Sequence, residues 1–335
     1  MASELTNIHN LPEVFVNAVK VDRHRVNGDI SVTQLIDAPQ VRRLRMKHGT
    51  KDDVMDRIYM LDGTAIHHVL ELSEITSTEA RILTQAQAVL EHLGKHKGVS
   101  SLQRIIDENY AEAFNPDVIV EKTMTVQVGG WTISGTVDRT LIKEGAVEDY
   151  KNTSVYAFMN PEAQKKYIPQ LNIYAYMAEK ELGIEIKTLR VIFKFRDWSK
   201  GKAATSKNYP KAPVILVNIP RRTNEQVEAY LEKRVALHQA SDKGEIIACS
   251  PKERWSEPDQ YAVKKKGAVR ATKKFTKKPE AELYKKLNQH KHAKTGGLIV
   301  ETRKGGSRRC ADFCAVAYCC PQRKSELAEA IDAEM

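Results

Sequence analysis

Between Gly135 and Lys151 the chain reads Gly-Thr-Val-Asp, ten residues, then Asp-Tyr-Lys. No other stretch limits the fold as tightly. Trp131 to Val137 alternates after the Gly129-Gly130 pair, Arg139 to Ile142 carries on, and Lys143-Glu144-Gly145 is a turn signal. Ala146 to Tyr150 then resumes as a second strand. Such a hairpin brings Asp138 and Asp149 together although they are eleven positions apart. Asp149 and Lys151 are two apart, so on a strand they share a face. The product is a pair of oxygen ligands for a hard cation with an ammonium beside them. Carboxylates hold Mg²⁺ or Mn²⁺. Such an ion polarises a phosphoryl oxygen and lowers the pKa of a bound water, and a lysine positions that water or offsets developing charge. The pattern therefore suits phosphodiester cleavage, although a surface hairpin with ordinary charges would read the same way.

Composition narrows the partners. A chain of 335 residues, 41% hydrophobic and 29% charged, can bury one large or two modest cores and is not a disordered composition. The formal charge of +10 favours a polyanion, with nucleic acid ahead of a membrane surface. The opening Met-Ala-Ser-Glu-Leu-Thr has no apolar run, and no stretch approaches the length of a membrane span. A cytoplasmic location without a membrane partner is expected. Four cysteines, Cys310, Cys314, Cys319 and Cys320, fall within eleven residues, and Cys249 stands apart. Thiols clustered in a reducing compartment bind metal more often than they form disulfides.

Residues 1–60 read as an N-terminal helical adaptor segment, with a strand at Val14 to Val21 and a short helix capped by Ser31 or Thr33. Arg42, Arg43, Arg45, Lys47 and His48 form a basic face, either solvated or set against a DNA backbone. The spacing of Ile66, Val69 and Leu70 predicts a helix from about Gly63 or Thr64, carrying His67 and His68, with a helical pattern from Ala80 to Leu93. Asp117 to Val128 reads as strand; Glu121 within it adds a third acid to the centre or stands as a charge at a strand end. Asn160-Pro161 is expected to open a long helix that kinks or restarts at Pro169 and places Gln170 and Tyr174 on one face. Strands at Leu189 to Phe195 and Val214 to Ile219, and a capping box at Thr223 to Gln226, complete a mixed α/β order with a sheet covered by helices. Further on, Lys264, Lys265, Lys266, Arg270, Lys273 and Lys274 are interleaved with Tyr261 and Phe275, a solvated surface or a grip on phosphates. No internal repeat is visible.

Taken in order, five pieces resemble the RecB-type branch of the PD-(D/E)XK nuclease superfamily, which includes the AddB and CRISPR-associated adaptation nucleases. Gly63, His67, Leu70 and Glu71 match Gly-x-x-x-His-x-x-Leu-Glu; Gly135 and Asp138 match Gly-x-x-Asp; Asp149 and Lys151 match Asp-x-Lys; Gln170 and Tyr174 match Gln-x-x-x-Tyr; a late cysteine cluster closes the set. The likeness is greatest to phage-encoded exonucleases and spans roughly residues 30–322.

The resemblance implies a restriction-endonuclease-like α/β core, a mixed sheet flanked by helices, at 61–245, a basic cysteine-stapled region at 246–322 and an acidic tail at 323–335. It implies that His67, Asp138, Asp149 and the main-chain carbonyl of Tyr150 ligate Mg²⁺ or Mn²⁺, with Glu121 as a further candidate. Lys151 would be the catalytic lysine, and Gln170 and Tyr174 would steady the site or the entering strand. Cys310, Cys314 and Cys320-Pro321 match the late ligands of a [4Fe–4S] cluster, with Cys319 as alternative to Cys320. Much of the branch places the first cluster cysteine before the core, where this chain has Ala38-Pro39, so Cys249 is left as the fourth ligand. Zinc would take the same thiolates. The activity implied is a metal-dependent DNA exonuclease of phage recombination, repair or replication, partnered by an annealing protein or helicase. A structure-specific endonuclease or Holliday junction resolvase, an RNA-directed enzyme, and a DNA-binding recombination module with a vestigial site are the alternatives.

Overall fold

The computed structural model describes residues 4–20, 27–74, 117–160 and 164–332. These form two compact units, a larger one of Glu4–Ile36 with Asp52–Lys243 and a smaller one of Asp37–Lys51 with the residues from Gly244 onward. The first sixty residues are thus shared between the two.

The larger unit is built on a six-stranded mixed sheet. Before it come the short strand β1 (Glu4–Thr6) and helix α1 (Glu13–Lys20). Strand β2 (Ile30–Ser31) runs parallel to β5 (Trp131–Leu141), while β4 (Val118–Val128) pairs antiparallel with β5 through Gly129 and Gly130, both in the left-handed region that a tight turn demands. Strand β6 (Ala146–Thr153) is antiparallel to β5 and parallel to β7 (Thr188–Phe195), and β8 (Val214–Ile219) closes the order antiparallel to β7. A parallel pair needs a crossover, which helix α6 (Tyr167–Leu182) supplies between β6 and β7. Helix α2 (Val32–Ile36) and helix α8 (Asn224–Asp242) pack with α6 around a core that includes Met124, Ile133, Val147, Leu171, Met177, Phe193 and Leu231. The first five residues of β6 are all buried, as a central strand covered on both faces should be.

Several local expectations hold. Ser31 caps α2: its Oγ accepts from the Gln34 N–H at 3.2 Å while Gln34 Oε1 accepts from the Ser31 N–H at 3.4 Å. The Thr223–Gln226 capping box opens α8, and Gly183 ends α6 in the left-handed conformation.

Others are corrected. Residues 13–20 are helical, not a strand: Pro12 precedes the first turn, Glu13 lies in it and Lys20 in the last, so the termini suit the helix dipole and outweigh the β-branched content. Helix α4 runs Val54–Ser73, starting well before Gly63, because Asp53 and Asp56 form a capping box at its head. The long helix α6 opens at Tyr167, and Asn160 stands at the C-terminal end of a short helix, α5 (Val155–Met159), capped by Ser154; the expected helix start at Pro161 lies outside the described residues. Pro169 causes no break in α6, since it lies in the first turn, where its missing N–H has no partner to lose. The pattern at Ala80 to Leu93 lies outside the described residues.

In the smaller unit β9 (Gln260–Lys265) is flanked antiparallel by β10 (Lys273–Phe275) and β11 (Leu298–Arg303). Helix α9 (Lys278–Asn288) covers this sheet, with Ala281 on Val263 and Leu298. A second cluster joins α3 (Pro39–His48) to the residues around Cys320. Arg309 fastens it to the residue before Ala38, its guanidinium donating to both Asp37 oxygens at 2.7 Å. Among the described residues no helix is long and apolar enough to cross a membrane.

Candidate active site

The β5–β6 ladder pairs Leu141 with Ala146, Thr140 with Val147 and Arg139 with Glu148, and stops there. One step on, the Tyr150 N–H donates to Asp138 Oδ2 at 2.7 Å instead of to a main-chain carbonyl. The hairpin therefore parts where its two acids meet. Asp149 is only 1% exposed, and the Lys151 ammonium lies 2.5 Å from its Oδ2. From α6, Gln170 Nε2 donates to Asp149 Oδ1 at 3.3 Å and to the Tyr174 hydroxyl at 3.1 Å. Tyr174 explains why the glycine begins the Gly-x-x-Asp run. A Cβ on Gly135 would stand 2.8 Å from the Tyr174 ring and 2.8 Å from a Val32 methyl, so only glycine lets the ring lie against β5.

Helix α4 delivers His67 to the same place. Its Nδ1 is 3.3 Å from Glu121 Oε1 and 3.7 Å from Asp138 Oδ1, and its Nε2 is 3.2 Å from the Tyr150 carbonyl. His68 turns away to Glu71, 3.5 Å distant, with most of its side chain exposed. Glu121 reaches His67 from an unusual backbone: its φ is +48°, and the β4–β5 ladder pairs Val120 with Arg139 and Lys122 with Val137 while skipping Glu121. A left-handed non-glycine residue inside a strand costs about 1–3 kcal/mol and persists where its surroundings hold it, commonly at functional sites.

Charge accounts for the titration. Burial, then the Asp149 charge, pushes the Asp138 carboxyl up to about 7, against the opposing pull of Lys151, His67 and the Tyr150 N–H. Burial alone would lower the Lys151 pKa, but Asp149 and Asp138 raise it, so the ammonium stays charged. His67 is raised by its hydrogen bond to Glu121, against burial, and by the Asp138 charge. Its ring faces acceptors at both nitrogens, so without a metal it is satisfied only as the imidazolium. A cation can replace one of those protons. His67, Glu121 and Asp138 each bring a ligand atom within 4.8 Å of the others, the one such group of three among the described residues, and one imidazole with two carboxylates suits a divalent ion.

Of the expected ligands, His67, Asp138, Glu121 and the Tyr150 carbonyl converge, with Asp149 beside them on Lys151. The sequence reading missed the network that stiffens the hairpin. Glu148, 3% exposed, receives Arg139 at 2.6 Å and Arg190 at 3.0 Å, and Arg139 also reaches Glu74 at 2.9 Å. The alternation that puts Asp149 and Lys151 on one face of β6 was the available signal, since it sends Glu148 to the other.

In the smaller unit Cys249, Cys314 and Cys319 pack against the buried Ala38, Val41, Leu44, Val316 and Cys320. The Gln322 amide clamps the Cys249 backbone: Oε1 accepts its N–H at 2.9 Å, and Nε2 donates to its carbonyl at 3.1 Å. Burial, the Glu253 charge and the thiols of Cys320 and Cys310 push Cys249 up to about 12. Burial and the thiols of Cys314 and Cys320 likewise raise Cys310. The Cys319 thiol donates to the Val316 carbonyl at 3.3 Å.

On the neighbouring sheet Lys265, Lys266, Arg270 and Lys274 are exposed. Lys264 is paired with Glu301, and the Lys273 ammonium lies 5.2 Å and 5.0 Å from the ring centroids of Phe275 and Tyr284.

Residues 41–321 match the family described as the PD-(D/E)XK nuclease superfamily. The chain belongs to that superfamily. As a member it is a metal-dependent hydrolase of the nuclease type, and its mixed sheet flanked by helices is consistent with the superfamily's fold. No curated protein matches this nuclease. Among solved structures it is similar to SSO0001, with 13% identity and a TM-score of 0.34 over 67% of this chain and 83% of that one. A presumed exonuclease from Eubacterium rectale is similar at 12% identity and a TM-score of 0.32, over 64% of this chain and 85% of that one.

Proposed function

We propose that this nuclease is a Mg²⁺- or Mn²⁺-dependent deoxyribonuclease that works from DNA ends. The observation that carries the reading is the convergence of His67, Glu121 and Asp138, with the buried Asp149–Lys151 pair beside them. His67, Asp138, Asp149 and the Tyr150 carbonyl would hold the ion, and Glu121 joins them through its left-handed backbone. The ion supplies Lewis acidity and an acidified water when bound. Lys151 orients that water and offsets charge developing on the phosphoryl oxygens. Gln170 fixes the rotamer of Asp149, and through it the position of Lys151, while donating to Tyr174. The preference for ends over internal bonds, and a setting in phage recombination with an annealing protein or helicase, rest on the resemblance given above.

In this reading the core acts on DNA and the cysteines staple the region around 246–322. The thiols suit a [4Fe–4S] cluster on Cys249, Cys310, Cys314 and Cys320. Three observations support that set: the Gln322 clamp on Cys249, the packing of Ala38 beside the other thiols, and the local hydrogen bond that occupies Cys319. Zinc would take the same thiolates in a tetrahedron, and the preference for the cluster rests on the resemblance. The cluster's role is structural, and Lys265, Lys266, Arg270 and Lys274 supply the exposed charge for phosphates.

Digestion of linear duplex, single-stranded and closed-circular DNA with Mg²⁺ or Mn²⁺ tests the first claim. Cleavage of the linear forms with the circle spared is expected. A nicked or linearised circle would turn the reading to a structure-specific endonuclease or resolvase, and tight binding without turnover to a vestigial site.

A further inference from the structure

A second lysine stands at the Asp149–Lys151 pair. Lys166, immediately before α6, lays its ammonium 4.9 Å from the centroid of the Tyr167 ring, and the Lys151 ammonium lies 5.8 Å from the same centroid. Tyr167 is buried against Phe193 in the core, so the ring is a fixed seat. The two cations differ in what compensates them. Lys151 is held by Asp149 at 2.5 Å. Lys166 is exposed, and no carboxylate among the described residues pairs with it. Desolvation of the ammonium, then the Lys151 charge, pulls its pKa below the ordinary lysine value, and the Asp149 charge opposes them.

A cation beside a like charge, and only partly offset by Asp149, is unfavourable unless a further anion joins it. With a divalent ion in place, the carboxylates of Glu121, Asp138 and Asp149 are balanced by the ion and Lys151, and the site is neutral toward a substrate that carries one negative charge per phosphodiester. Lys166 tips that balance to positive. This argument rests on the nuclease reading and extends it to substrate binding.

We propose that Lys166 is a phosphate-binding residue of this site, holding a backbone phosphate of the strand being cut, next to the one that meets Lys151. Seated on Tyr167, it registers the strand by charge and without regard to base sequence. It is a subsite for a phosphodiester, not a group that acts on the reacting bond.

The test compares wild type with Lys166→Met and Lys166→Arg, using anisotropy of a labelled oligonucleotide with Ca²⁺ as the ion, together with KM and kcat in Mg²⁺. Lys166→Met should weaken binding several-fold and lower the slope of log K against log salt by about 0.7–0.9, the share of one phosphate. KM should rise with kcat little changed, and Lys166→Arg should restore the slope. A scan placing one neutral methylphosphonate at successive positions should find one position where wild type loses affinity and Lys166→Met does not. An unchanged salt slope with the same methylphosphonate profile in both proteins overturns the assignment. A wild type that neither binds nor cleaves DNA overturns the nuclease reading itself. Matching thermal melts keep a folding defect from imitating either result.

Discussion

At the acid site Asp149 and His67 already have counter-charges, whereas at the thiol site burial disfavours the ionised form of Cys249 and Cys310. Asp149 has Lys151, His67 has Glu121 and Asp138, and Asp138 has the Tyr150 N–H. Buried charges survive because they are paired, so this geometry stands before an ion arrives. Burial, the Glu253 charge and neighbouring thiols push Cys249 up, burial and neighbouring thiols raise Cys310, and a bound metal would favour the thiolates. The candidate active site is preorganised by its own electrostatics. The site proposed for stapling depends on what it binds.

The comparison breaks most visibly in activity. Asp138→Ala should cut cleavage by at least about a thousandfold with the fold retained, and Lys151→Ala should cut it as far while lowering the melting temperature, because it leaves the buried Asp149 unpaired; chelation with EDTA should abolish cleavage by the unaltered protein. Residual activity near the wild-type level in either case would remove the proposed centre. At the thiol site the ordering reverses. Cys320→Ser or Cys249→Ser, purified without oxygen, should lose iron and sulfide and make the smaller unit prone to proteolysis, with Cys319→Ser unaffected. Undiminished iron and sulfide in Cys249→Ser would rule that ligand out.

Gln170→Ala should have a middling effect. It removes a supporting hydrogen bond and no ligand, so turnover should fall about 10- to 100-fold with substrate affinity nearly unchanged. The smallest effect belongs to the tie between Asp37 and Arg309. Burial alone would raise the Asp37 carboxyl, but hydrogen bonds and charge from Arg309 hold it below the ordinary value. Its contribution is present above the unfolded pKa, near 3.8, and is lost as pH falls through the lower folded value. Asp37→Asn should therefore cost about 1.5–3 kcal/mol at neutral pH, a gap in denaturant stability that closes in strong acid. A gap independent of pH would mean that Asp37 acts through packing alone.

Much of the active-site hairpin was legible because its signals are local. The glycine pair, the Lys143-Glu144-Gly145 turn and the period-two alternation lie within about twenty residues, and together they define β5, β6 and the shared face of Asp149 and Lys151. The long helices were less legible at their starts. Asp53 and Asp56 cap α4 nine residues before the glycine that seemed to open it. Pro169 looked like a breaker because its position in the first turn depends on where α6 begins. The expected strand at Val14 to Val21 failed for a similar reason: β-branched content is a weak prior beside end charges and a preceding proline.

By itself, then, the amino-acid order determined the kinds of groups available: two acids and a lysine on one hairpin, an imidazole on a helix, five thiols near the end and an excess of positive charge. These follow from periodicity and residue chemistry, which reach a turn or two along the chain. Only tertiary structure decided which of the groups meet. It turned Glu121 inward through a left-handed backbone, set Tyr174 against Gly135 and laid the Lys166 ammonium over the Tyr167 ring. Each of those outcomes depends on contacts between segments far apart in sequence, and no local pattern encodes the distance across a packed interior.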